Sequence, residues 1–90
     1  MVGADDPELL RARYRQAVCL GETGEHAQAS RLWAGVAEDR ARLLGLDHRE
    51  TLDVRYDQAR NLERAGEFVE AARWFGEVAA GREGVISSGA

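Results

Sequence analysis

ELLRARYRQAVCLGETGEHAQASRLWAGVAEDR at residues 8–40 returns, altered but recognisable, as ETLDVRYDQARNLERAGEFVEAARWFGEVAAGR at residues 50–82. Aligned at this offset of 42, 14 of 33 positions are identical, among them Glu8/Glu50, Leu10/Leu52, Tyr14/Tyr56, Gln16/Gln58, Ala17/Ala59, Leu20/Leu62, Gly24/Gly66, Ala29/Ala71, Ala37/Ala79 and Arg40/Arg82. The pairs Leu32/Trp74 and Trp33/Phe75 keep bulk in the same place. A fixed period of this length marks a stacked repeat, whose units cannot bury their apolar faces alone.

Within each copy the apolar spacing is helical. Leu10, Tyr14, Ala17 and Leu20 recur at intervals of four, three and three, as do Leu52, Tyr56, Ala59 and Leu62. That is one stripe on an α-helix. The first helix opens at Asp5 or Asp6, where an acidic N-cap accepts a free N–H and Pro7 loses nothing by lacking one. Asp47 with Glu50 reads as a variant capping box for the first helix of copy two. Gly24 and Gly66 suit a left-handed C′ position that ends these helices, and Gly45 ends the second helix of copy one.

The second helices carry the stripes Ala29, Leu32, Trp33, Val36, Ala37, Leu43, Leu44 and Phe68, Ala71, Trp74, Phe75, Val78, Ala79, with Val85 and Ile86 as an extension. Ala17 with Ala29, and Ala59 with Ala71, are expected at the crossings of two antiparallel hairpins, where small side chains let helices approach to about 8–10 Å. Trp33 and Phe75 are expected to fill the space between one hairpin and the next. The glycine-rich end, Gly81 to Ala90, is expected to fray, since each interior glycine costs about 1 kcal/mol relative to Ala. Strand signals are absent. The expectation is an all-α protein of four helices: a flexible start at 1–4, one repeat at 5–46, a second at 47–86 and a flexible tail at 87–90.

Composition narrows the function classes. The 90 residues suffice for one small domain, and a net charge of −4 argues against nucleic acid, which calls for a basic stripe. All 12 basic residues are arginine. No apolar run approaches the roughly 20 residues of a membrane span. Met1 to Asp6 has neither the basic nor the apolar region of a secretory signal, so a cytoplasmic location is expected. Cys19 is the one cysteine and cannot staple its own chain.

The residues resemble the tetratricopeptide repeat family. The match is a small residue (Ala17, Ala59), a leucine three on (Leu20, Leu62), the turn glycine (Gly24, Gly66), Ala29 and Ala71, and the aromatics Trp33 and Phe75. The 42-residue unit, with its Leu44-Gly45-Leu46-Asp47-His48 link, is similar to the longer-helix variety found in kinesin light chains and large bacterial regulators. The family's early aromatic comes one place late, as Tyr14 and Tyr56, and its leucine before the small residue is Gln16 or Gln58. The resemblance implies a short right-handed α-solenoid whose first helices line a concave groove for a peptide or protein segment. Carried over by position, the groove residues are Arg11, Tyr14, Arg15 and Val18 in copy one and Asp53, Tyr56, Asp57 and Arg60 in copy two. The family's Lys/Asn carboxylate clamp is unmatched, though Arg15 and Arg60 offer bidentate forks.

Each reading has a plainer rival. Tyr14 and Tyr56 also lie on the core stripe, and Arg11, Arg13 and Arg15 also read as a solvated face beside Glu8. Cys19, His26 and His48 lack the spacing of a metal or catalytic site, so no metal, cofactor or enzymatic activity is expected. Two repeats are few for a stable array, and their open ends expose apolar faces. The leading expectation is therefore a non-enzymatic protein-binding module. The alternatives are a fragment of a longer array in a multidomain regulator, or a structural module that forms a homodimer through its open ends.

Overall fold

The computed structural model describes residues 6–89, with side chains as far as Gly84. The segment 1–4, expected to be flexible, lies outside the described residues, as do the side chains of Val85 and Ile86. Four helices follow one another: α1 (Pro7–Glu22), α2 (His26–Leu44), α3 (Arg49–Arg64) and α4 (Phe68–Gly89). No strand occurs among the described residues. The protein is all-α, and no described helix is long and apolar enough to cross a membrane.

The boundaries follow local chemistry. Asp6 caps α1 by accepting from the Glu8 and Leu9 N–H groups at 2.9 and 3.1 Å, with Pro7 at the first helical position. Asp6→Ala should cost about 0.5–2 kcal/mol, measured by urea unfolding. Both first helices end in the same Schellman motif: Glu25 N–H donates to Leu20 O at 2.9 Å and Glu67 N–H to Leu62 O at 2.8 Å. The motif needs a left-handed residue, and Gly24 and Gly66 supply it at φ +87° and +86°.

Two expectations about ends require correction. The cap of α3 is His48, whose Nδ1 accepts from Glu50 N–H at 3.1 Å, and not Asp47. Thr51 Oγ1 donates to Gly45 O at 2.8 Å and tightens the turn after α2, so the extended boundary residue falls one place later. The helical backbone of α4 also continues to Gly89, so residues 87–89 of the expected tail are helix. Gly81 and Gly84 keep helical dihedrals rather than turning left-handed. Gly81 is buried against α3, where a Cβ would come within 2.7 Å of Leu52 Cδ2.

Each helix packs on its neighbour in sequence: α1 on α2, α2 on α3, α3 on α4. With a neighbour on each side, α3 buries Thr51, Leu52, Val54, Gln58, Ala59, Asn61 and Leu62, whereas α1 buries Leu10 and Ala17. The four expected alanine notches are closed, since Ala17, Ala29 and Ala59 have no exposure and Ala71 only 2%. Trp33, Val36, Ala37 and Val54 complete one cluster with Ala17 and Ala29, which spans three helices.

The second-helix stripes are narrower than expected. Leu43 and Leu44 are exposed because α1 begins at Pro7 and leaves the last turn of α2 beside only an open notch. Phe68 and Ala79 are exposed because no described helix follows α4.

Candidate functional site

The helices α1 and α3 are not among the closely packed pairs, and a cleft opens between them with α2 as its floor. One section, about 510 Å³, runs beside Tyr14, Val18, Trp33, Asp57, Arg60 and Arg64. A smaller section of about 320 Å³ is bordered by Arg11, Arg40, Glu50 and Asp53. Tyr14 and Asp57 line both, so the two form one continuous groove.

Six of the eight groove residues named from sequence border this cleft: Arg11, Tyr14, Val18, Asp53, Asp57 and Arg60. Arg15 borders neither section and is exposed on α1. Tyr56 borders neither section as well. It lies edge-on to Phe75 with ring centroids 5.4 Å apart, repeating the contact of Tyr14 with Trp33 at 5.1 Å. The rival readings of the tyrosines thus separate by copy. Tyr14 packs on the core cluster with one side and lines the cleft with another, while Tyr56, beyond its contact with Phe75, has no described helix across from it and is 46% exposed.

Arg13 belongs to neither a cleft nor a purely solvated face, because it pairs with Asp39 of α2 at 3.5 Å. Arg11 and Arg15 are exposed. The three arginines therefore point to three different surroundings.

Several cleft residues escaped the sequence reading. Asn61 Nδ2 donates to Asp57 O at 2.9 Å, which turns its Oδ1 toward His26 Nδ1 at 3.2 Å. An amide oxygen only accepts, so His26 Nδ1 is the donor of that contact. This bond ties the start of α2 to α3 at one end of the cleft. Near the other end Arg40 pairs with Glu50 at 3.4 Å. His26 and Asn61 stand where the two copies differ (His26/Phe68, Cys19/Asn61), so the repeat gave them no weight. Arg40 and Glu50 stand where the copies agree, a signal that was present.

The cleft carries charge of both signs. Burial pushes the Asp57 carboxyl above its ordinary value; Arg60, 3.8 Å away, opposes this, and Asp53 reinforces it. Folded Asp57 therefore holds its proton to higher pH than the unfolded chain does. Its contribution to stability is full below the ordinary carboxylate pKa and is lost as pH rises through the folded value. Arg60→Ala should move the Asp57 midpoint further upward, as read from its side-chain carboxyl 13C shift in an NMR titration.

On the opposite side of α3, Arg55 lies 4.1 Å from the Trp74 ring centre and donates to Gln58 Oε1 at 3.0 Å. Burial lowers its guanidinium pKa, offset by Glu38 and Glu77 and aided by Arg73. Cys19 is exposed, and no group of three or more metal-ligating side chains occurs among the described residues. The cleft offers aromatic area, an ordered imidazole and paired charges, which suits recognition of a chain with mixed polarity. No protein-family model, curated protein or solved structure matches this chain.

Proposed function

We propose that the protein is a non-enzymatic interaction module that binds a peptide or protein segment in the cleft between α1 and α3. The observation that carries this reading is the continuous groove itself, which has Tyr14 at its centre and charged side chains on both walls. A tyrosine face held against a tryptophan gives rigid contact area at low entropic cost. Arg11 and Arg60 supply donors suited to backbone or carboxylate oxygens, and Asp53 and Asp57 supply acceptors. The proposed kinship with tetratricopeptide repeats is part of the same reading. It is supported by the duplicated glycine caps, the buried alanines at corresponding positions and the matching aromatic contacts in the two hairpins.

The test is selection of linear peptides from a displayed random library on the 90-residue protein, followed by amide chemical-shift mapping. Selected peptides should perturb α1 and α3 residues around Tyr14 and Asp57. Reversing Arg60 to Glu should weaken their binding by about tenfold or more, the scale of one lost charge-assisted hydrogen bond. Arg15→Ala, outside the cleft, should leave it unchanged. Peptides that map to another face would overturn the proposal, and so would a selection that enriches none.

A further inference from the structure

The two copies of the repeat are related in sequence but unlike in burial, and the difference marks one internal interface. On α2, Ser30, Trp33 and Ala37 are buried, while their counterparts on α4, Ala72, Phe75 and Ala79, are exposed or half-buried. On α3, Val54, Gln58 and Asn61 are buried, while their counterparts on α1, Ala12, Gln16 and Cys19, are exposed. In both comparisons the difference is the neighbour that α2 and α3 provide for each other.

We propose that a second copy of this chain docks its α1 on the exposed face of α4, repeating the α2/α3 interface between molecules, head to tail. Three observations select this occupant. Two buried positions of the template are kept, Ala37 as Ala79 and Gln58 as Gln16, while Trp33 and Val54 recur as the smaller apolar residues Phe75 and Ala12. The charges are kept as well. The Arg40–Glu50 pair at 3.4 Å joins α2 to α3, and its counterpart is Arg82 of one copy with Glu8 of the next, identical residues at both ends. Within one chain Arg82 instead pairs with Asp53.

Where the template changes, both sides change together. The polar contact His26–Asn61 becomes Phe68 against Cys19, two apolar groups in place of a hydrogen bond. Phe68 is 65% exposed on the isolated molecule, which this docking relieves.

Such an interface joins two different patches, so it propagates instead of closing at two copies. It leaves the cleft between α1 and α3 open and touches its charges only by drawing Arg82 away from Asp53, so it stands or falls separately from peptide binding. The decisive measurement is mass against concentration by sedimentation and light scattering. The unaltered protein should grow past a dimer as concentration rises. Ala79→Arg blocks the α4 face and Ala12→Arg the α1 face, both at exposed positions, with helicity checked by circular dichroism. Each variant alone should be monomeric, and an equimolar mixture should give a dimer with one intact interface. Arg60→Glu should assemble like the unaltered chain. An unaltered protein monomeric at high micromolar concentration overturns the proposal. Dimerisation by either single variant alone overturns it too, because that outcome means like faces pair with like.

Discussion

Trp33→Ala should lose about 3–5 kcal/mol of unfolding free energy, the range for emptying a buried aromatic site. The loss is severe for this chain, because 90 residues support only about 5–13 kcal/mol in total. Trp33 is 3% exposed, touches the Ala17–Ala29 crossing and meets Tyr14 edge-on. It also belongs to the cluster that reaches Val54 of α3, so its removal weakens the hairpin and the joint between hairpins together. Phe75→Ala at the corresponding place should cost much less, since Phe75 is half-buried. Trp33→Phe should also be milder than Ala. It gives up area but removes an indole N–H that is buried without a partner among the described residues. Urea unfolding followed at 222 nm ranks the three variants, and Phe75→Ala at or above the cost of Trp33→Ala would refute this account of the core.

That ranking could not have been read from the sequence, although the residues could. Trp33 and Phe75 occupy equivalent positions, and a repeat alignment treats them alike. Burial depends on what lies beside a residue: Trp33 is covered by α1 on one side and α3 on the other, whereas Phe75 meets Tyr56 of α3 and has no described helix on its far side. The same reasoning explains Tyr14 and Tyr56, and Ala37 and Ala79. What was legible is local: helix period, the left-handed glycines, the alanine notches and the cap at Asp6. The cap at His48 was harder, because it depends on how Thr51 closes the turn onto Gly45, a contact six residues long.

Six groove residues were found because the resemblance to tetratricopeptide repeats assigns their positions to a groove. Arg15 was lost because a helix turns 100° per residue, so a neighbour of Tyr14 points elsewhere. The His26–Asn61 tie joins residues 35 apart, at positions where the copies disagree, and nothing short of packing reveals it.

Ala59→Leu should destabilise by about 1–3 kcal/mol through overpacking. Ala59 has no exposed surface and lies on α3, which has closely packed neighbours on both sides, so the added methyl groups have little room to escape. Ala71→Leu, on the partner helix of the same hairpin and 2% exposed, should show a loss of the same order. Ala80→Leu on an exposed part of α4 is the control and should stay within about 0.5 kcal/mol of the parent. If Ala59 and Ala71 share one crossing, the doubly substituted chain will not show the sum of the single losses, because one separation of α3 from α4 accommodates both leucines. Additive losses would instead mean that the two alanines fill separate contacts. The repeat would then preserve small residues for a reason other than the approach of two helices.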